Sequence, residues 1–182
     1  MRPKKIEDKV IIPQGVEVTQ EGPVFKVKGP KGEQSRKLAY RGVTATRTAN
    51  EIIFTSANPT KREKKELYTM VSHLRNMVEG SKGGYTYKLK VCPGHFPPTV
   101  KVEGKELVVS NFLGGKIPRS APILDGVKVT VQGDNITVEG HDLEKVSQTA
   151  GNIEISTRIV KRDRRVFQAG IFITEKAGKP IR

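Results

Sequence analysis

Tryptophan is absent from the 182 residues, and only six Phe and four Tyr carry aromatic rings. Readers of single-stranded nucleic acid stack bases on aromatic platforms, so this scarcity argues against that mode. Cysteine is nearly absent as well: Cys92 stands alone, and no disulfide can close within the chain. A reducing, intracellular compartment fits that usage. No run of about 18 apolar residues occurs, so no membrane-spanning helix and no membrane partner are expected. Met1-Arg2-Pro3-Lys4-Lys5 is followed by Ile6-Glu7-Asp8-Lys9, without the apolar stretch of a secretory leader, and none is expected. Acidic residues are also in deficit, 19 Asp and Glu against 33 Lys and Arg, for a formal charge of +14. A chain this basic is expected to meet a polyanion, nucleic acid first.

Catalytic patterns are equally scarce. Cys92 and His95 have the C-x-x-H spacing of half a zinc site, but the chain holds one Cys and three His in all (His73, His95, His141). A structural zinc site generally takes four ligands, mostly Cys and His, so Cys92 reads as a buried thiol beside the proline-rich Pro93–Pro98 turn, and no metal or cofactor is expected. Gly114-Gly115-Lys116 fails as a nucleotide-binding loop, because Ile117 replaces the required Ser or Thr and Ser110 replaces the first glycine. Gly29-Pro30-Lys31-Gly32 and Gly80-Ser81-Lys82-Gly83 spell the G-x-x-G of a backbone-clamping loop. The first reads as a strand connection and the second as a linker, so neither has the helix–loop–helix setting. A nuclease using His95 or His141 as base would lack a nucleophile nearby, and no enzyme is expected.

What is present is order on two scales. Leu67, Met70, Val71, Leu74, Met77 and Val78 form one apolar face at helical spacing, predicting a helix from about Asn58 to Glu79. Asn58 suits its N-cap, Pro59 its first position and Gly80 its end. Ahead of it, Val16 and Val18, then Val24 or Phe25 and Val27, alternate about a turn at Gln20-Glu21-Gly22-Pro23, which reads as a hairpin. Val43–Arg47 and Ile52-Ile53-Phe54 read as two more strands, separated by Ala49-Asn50-Glu51. A shift that lays Pro13 on Pro97 also lays Val16 on Val100, Val18 on Val102, Val24 on Val108, Val43 on Val127, Ile52 on Ile136 and Phe54 on Val138. Asn58 then falls on Asp142, ahead of a second amphipathic set at Leu143, Val146, Ala150 and Ile153. A longer register aligns Val16 and Val18 with Val127 and Val129 but leaves the first helix unmatched. The expectation is an α+β protein of two tandem duplicated domains, each a mostly antiparallel β-sheet packed on one α-helix. Their bounds are 1–80 and 85–182, joined by a Gly-rich linker at 81–84.

Charge is shared equally by sum and unequally by place. Residues 1–80 and 81–182 each carry +7, but residues 158–182 alone carry +6. Arg158, Lys161, Arg162, Arg164 and Arg165 crowd eight positions, relieved only by Asp163. Arginine donates two parallel hydrogen bonds to one phosphate, so this cluster predicts binding to folded RNA by shape and phosphate contacts. In the run Ile171-Phe172-Ile173, Phe172 is expected to fill the core from a last strand.

These residues also resemble a known family. Asn111-Phe112-Leu113-Gly114-Gly115-Lys116-Ile117-Pro118-Arg119, then Gly126-Val127-Lys128-Val129, look like the opening of the second domain of the large-subunit ribosomal protein six family. Gly140-His141-Asp142, Val146-Ser147-Gln148-Thr149-Ala150-Gly151-Asn152-Ile153-Glu154 and Asp163-Arg164-Arg165-Val166-Phe167-Gln168-Ala169-Gly170-Ile171 resemble its closing helix and signature. Ile12-Pro13-Gln14-Gly15-Val16 and Val27-Lys28-Gly29-Pro30-Lys31-Gly32 resemble its first domain. The Arg-Arg-Val-Phe-Gln ending is similar to the archaeal and eukaryotic branch, with Ala169 standing where that branch usually has Asp and Phe172 where it often has Tyr. The resemblance implies a structural constituent of the cytoplasmic large ribosomal subunit, beside the sarcin–ricin loop in the translation-factor region. It implies large-subunit rRNA as partner, neighbouring ribosomal proteins at the base of the factor-binding stalk, and no homo-oligomer. It places rRNA contact, mainly in the second domain, on Lys116, Arg119, Gln148, Arg158, Arg162, Arg164, Arg165 and Gln168. A free-standing RNA-binding regulator or chaperone would use the same basic surface.

Overall fold

A computed structural model of the chain describes residues 5–48, 50–57 and 59–181. Residues 1–4, Ala49, Arg182 and Asn58, with the cap expected there, lie outside the described residues. The chain divides into two compact units, Met1–Gly84 and Tyr85–Arg182.

The first unit contains two three-stranded antiparallel sheets and one helix. Strands β1 (Lys5–Ile11), β5 (Thr44–Arg47) and β6 (Glu51–Ala57) lie in the order β1-β6-β5. The hairpins of β2 (Glu17–Glu21), β3 (Val24–Gly29) and β4 (Gly32–Lys37) form the other sheet. Val18, Phe25 and Val27 from one sheet and Val10, Ile52 and Phe54 from the other are buried with the apolar face of α1 (Lys61–Gly83). All six helix positions picked out by periodicity are in that core. The β2–β3 turn is Gly22-Pro23, with Gly22 at φ 59°, a left-handed conformation that costs glycine little and suits a two-residue hairpin. Gly104 repeats it at φ 61° in the second unit.

Both ends of α1 depart from the expectation. Thr60 is the N-cap: its hydroxyl accepts from Glu63 N, and the Glu63 carboxylate accepts from Thr60 N at 2.6 Å. This reciprocal capping box satisfies two otherwise orphaned donors, and Pro59 precedes it rather than opening the helix. The bonded N–H of Thr60 also holds the Glu63 carboxyl below its ordinary range. At the other end the helix runs through Gly80-Ser81-Lys82-Gly83 and stops at Gly84, so the linker expected at 81–84 is mostly helical. Packing overrides the glycine signal there. Gly80 and Ser81 are buried, and the Ser81 carbonyl accepts from Lys31 N at 3.1 Å. A Cβ on Gly29 would stand 2.5 Å from that carbonyl oxygen, so the β3–β4 turn and the helix end approach too closely for any other residue. The two G-x-x-G segments pack on each other and form no clamp.

The second unit repeats the plan and extends it. Strands β8 (Thr99–Glu103), β9 (Glu106–Ser110) and β10 (Arg119–Pro122) correspond to β2, β3 and β4. Strands β7 (Tyr85–Cys92), β12 (Asn135–Gly140) and β11 (Val127–Gln132) correspond to β1, β6 and β5, and α2 (Leu143–Ser156) to α1. Two further strands, β13 (Gly170–Lys176) and β14 (Lys179–Pro180), continue the sheet beyond β7. Asp142 caps α2, accepting from Glu144 N at 2.9 Å, and Val146, Thr149, Ala150 and Ile153 are buried.

No single period describes this duplication. Ile52 and Phe54 correspond to Ile136 and Val138, as expected from the shift that lays Pro13 on Pro97. The β2–β3 hairpin corresponds to β8–β9 at a shorter shift, so Val18 matches Val100, not Val102, and Phe25 matches Leu107. The shift is shorter again at the first strands, where Val10 lies opposite Ile52 and its counterpart Leu89 lies opposite Ile136. Connections of unequal length move the period without changing which residues face inward. The longest register, which lays Val16 on Val127, pairs β2 with β11, and these are not equivalent strands. Phe172 also departs from the expectation: Ile171 is buried, while Phe172 is half-buried on the opposite face of β13 and lines a groove.

Candidate nucleic-acid interface

The end of α2 and the start of β13 are joined by residues 157–169, an excursion held at both ends. Thr157 is buried, and its hydroxyl accepts from Ile171 N at 2.9 Å. Glu154, one turn earlier, accepts from Ile173 N at 3.3 Å. These acceptors serve N–H groups of β13 in the stretch that lies beyond its pairing with β14. Ala169, the first departure from the family pattern, is buried beside Gly94, where its single methyl group fits.

Between these anchors every residue from Lys161 to Gln168 is exposed. An open groove of about 670 Å³ runs along the excursion, lined among others by Arg158, Arg164, Arg165, Phe167, Gln168 and Phe172. Arg162 lies over the Phe167 ring, 5.0 Å from its centroid, so the guanidinium is held by an aromatic face. Asp163 organises the turn: its backbone carbonyl accepts from Phe167 N at 2.9 Å, and its Oδ1 accepts from Arg165 N at 2.9 Å. The Arg165 guanidinium chelates the same carboxylate, with Nη2 donating to Oδ2 at 2.7 Å. This contact holds the Asp163 carboxyl below its ordinary range and raises Arg165. Gln168 donates to the Arg165 carbonyl at 3.0 Å, closing the turn on itself.

Arg119 has a different place. Its Nη1 donates to the carbonyls of Ser156 at 3.0 Å and Arg158 at 3.1 Å, and its guanidinium covers the buried Phe112 ring at 4.5 Å. Helix C-termini leave carbonyls without intrahelical partners, and Arg119 serves the end of α2 in that role. It is thus a post that ties β10, the Phe112–Gly114 turn and the root of the basic excursion together. Lys116, three residues earlier, is exposed in the bend ahead of β10. Gln148 is exposed on α2 and bonded to Asn152 Oδ1 at 2.9 Å, outside the groove. The structure therefore brings Arg158, Arg162, Arg164, Arg165 and Gln168 to one excursion, with Arg119 beneath it and Lys116 and Gln148 apart.

Sequence reasoning missed Phe112, Thr157 and Glu154 as supports, and it missed Phe167 as the platform under Arg162. The C-terminal position of Thr157 and Glu154 on α2, ahead of a polar excursion, was the available signal. Among the described residues, no group of three or more His, Cys, Asp and Glu is placed to hold a metal ion. Cys92 is half-buried rather than buried as expected, and His95 stands edge-on to Phe96 at 4.8 Å.

Comparison with known proteins adds an independent observation. The family model described as Ribosomal protein L6 matches residues 12–84 and again residues 96–170, one copy in each unit. The Large ribosomal subunit protein uL6 of Sulfurisphaera tokodaii is 43% identical over 177 residues, covering 97% of this chain and 95% of that protein. Its counterpart in Methanospirillum hungatei is 46% identical over 172 residues, covering 94% of this chain and 98% of that protein. That of Aeropyrum pernix is 44% identical over 172 residues, 94% of each chain.

Proposed function

The chain belongs to the ribosomal protein L6 family as a large-subunit ribosomal protein, not an enzyme, and from that premise we propose that it binds rRNA chiefly through the basic excursion of its second unit. It acts in the cytoplasmic ribosome, on the sarcin–ricin side of the translation-factor region, with stalk-base proteins as neighbours. Lys116, Gln148, Arg158, Arg162, Arg164, Arg165 and Gln168 are the proposed contact residues, and Arg119 is their support. Arg119 acts by positioning the Arg158 backbone, and the others meet RNA directly.

The observation that supports this reading most is the gathering of four arginines on one exposed excursion in the second unit. The first unit spends its charge differently. On α1, Arg62 is paired with Glu66 at 2.9 Å, and Lys64 lies 6.0 Å from the Tyr68 ring. Arg162, held over an aromatic ring, loses less freedom on meeting a phosphate than an unsupported side chain does. The rings of Phe167 and Phe172 in the groove offer shape and apolar contact beside the phosphate donors.

Residues 1–84 and 85–182, produced separately, test the assignment in titrations against an rRNA fragment at several salt concentrations. The second unit is expected to bind with a steep salt dependence, and the first at least about tenfold more weakly. Tight, salt-sensitive binding by residues 1–84 alone would move the site to the first unit.

The Asp163–Arg165 chelate makes a finer prediction. Asn keeps an oxygen to accept Arg165 N but removes the charge that holds the guanidinium. Asp163→Asn should therefore tighten rRNA binding, because Arg165 no longer has to leave a carboxylate to reach a phosphate. Acidification acts in the same direction, since protonating Asp163 frees Arg165; the depressed carboxyl sets this transition below the ordinary carboxylate range. Binding no tighter in the Asn variant would show that Arg165 contacts no phosphate.

A further inference from the structure

The duplication leaves one position filled in the second unit and open in the first. In the second unit β13 lies against β7, where Ile173, Phe172, Ile171 and Gly170 are paired with Leu89, Lys90, Val91 and Cys92. With Val10 matched to Leu89, the counterparts of those β7 residues are Val10, Ile11, Ile12 and Pro13. Among the described residues β1 pairs with β6 alone, so its other edge has no strand. An open groove of about 420 Å³ runs there, between Val10, Ile11 and Pro13 on one side and Arg75, Val78 and Lys82 on the other.

We propose that this free edge of β1 docks an extended, acidic segment of a neighbouring protein, laid between β1 and the C-terminal half of α1 where β13 lies in the second unit. Unpaired strand edges present a row of backbone donors and acceptors that an extended peptide can complete. Ile12 N donates inward to the Asn50 carbonyl, so by strand alternation Ile11 N points to the open side. The edge already recruits a carboxylate, since Lys9 N donates to the Asp8 side chain at 2.8 Å. Ile11 is 68% exposed, which leaves apolar surface for an alternating strand to cover.

The charge of the segment follows from a reversal between the units. With the buried helix faces aligned, Leu74 on Ile153, Arg75 stands where Glu154 stands and Val78 where Thr157 stands. In the second unit those two residues accept N–H groups of the resident strand. Neither Arg75 nor Val78 has a side-chain acceptor, and Arg75 calls for a negative group instead. Arg75 and Lys82 are exposed, and among the described residues neither has an ion-pair partner, whereas Lys9 is held by Glu51 at 3.2 Å. Among the described residues, Glu79 is the one acid lining the groove. Two uncommitted cations beside an open strand edge select carboxylates on a peptide. An RNA backbone would answer the charge but leave the edge donors and Ile11 uncovered.

The test uses the full chain assembled into large subunits, with Glu79 replaced by a photo-crosslinking benzophenone amino acid. The expected adduct is on one protein, at a non-helical stretch holding at least two Asp or Glu. Ile11→Pro, which removes an edge donor where proline is tolerated, should cut its yield at least tenfold. Should that variant fail to fold, Arg75→Glu with Lys82→Glu on the exposed helix surface should produce the same loss and decides the matter. Adducts on rRNA or on a helix, absence of any adduct, or a yield untouched by the charge reversal would overturn the proposal. Titration of residues 85–182 against rRNA is independent of this edge, so the two readings fail separately.

Discussion

Replacing Arg162, Arg164 and Arg165 together by Ala is expected to flatten the salt dependence of rRNA binding by roughly two units of log K per decade of salt. Each phosphate neutralised contributes ~0.7–0.9 to that slope, and three arginines bear on it. All three side chains lie on the exposed excursion, outside the hydrophobic core, so thermal stability should stay within the range of surface substitutions, about 0.5 kcal/mol. The pairing of a large change in slope with an unmoved melting curve separates a binding role from a folding role. An unchanged slope would identify the cluster as a solvated face.

The second large effect separates the two units by their cores. Leu74 and Ile153 are fully buried, each on its helix's inner face. Leu74→Ala should destabilise the first unit, and Ile153→Ala the second, each by ~2–5 kcal/mol, since a truncated core side chain loses transfer energy and leaves a cavity. Only Ile153→Ala should weaken rRNA binding as the temperature rises, because α2 roots the basic excursion through Thr157 and Arg119. Melting followed by binding at each temperature checks this. Equal loss of binding in both variants would contradict the assignment of the site to the second unit. A cost under about 0.5 kcal/mol for Leu74→Ala would show an exposed position.

The same two helices show how far the sequence can be read. The inner face of α1 was legible residue by residue, because burial imposes helical spacing on six apolar positions that nothing else explains. Its ends were not. The capping box at Thr60 competes with Asn58 and Pro59 for the same local signal, and the glycines at 80–84 read as a linker until Gly29 packs on them. Strand β4, Gly-Glu-Gln-Ser-Arg-Lys, has no apolar residue to betray it and is held by pairing with β3. The duplication was legible as a pattern but not as a register. The shift that relates Ile52 to Ile136 is longer than the one that relates Val10 to Leu89, because the connections between them differ in length.

At the candidate site the cations were legible by clustering, and their arrangement was not. Nothing in the order Arg-Asp-Arg-Arg-Val-Phe tells that Arg162 stacks on Phe167 while Arg165 turns back on Asp163. Those geometries depend on Thr157 and Glu154 fixing the returning strand, contacts between residues far apart in the chain. The demotion of Phe172 from core to groove follows from the phase of β13: with Ile171 inward, its neighbour must face outward.

The central claim, that the second unit meets rRNA through residues 157–169, is tested most directly by crosslinking in the intact large subunit. Ultraviolet crosslinking with peptides and nucleotides mapped together should place adducts at or beside Arg158–Gln168, with further sites near Lys116 and Gln148. Adducts confined to residues 5–84, with residues 157–169 free of RNA, would contradict it.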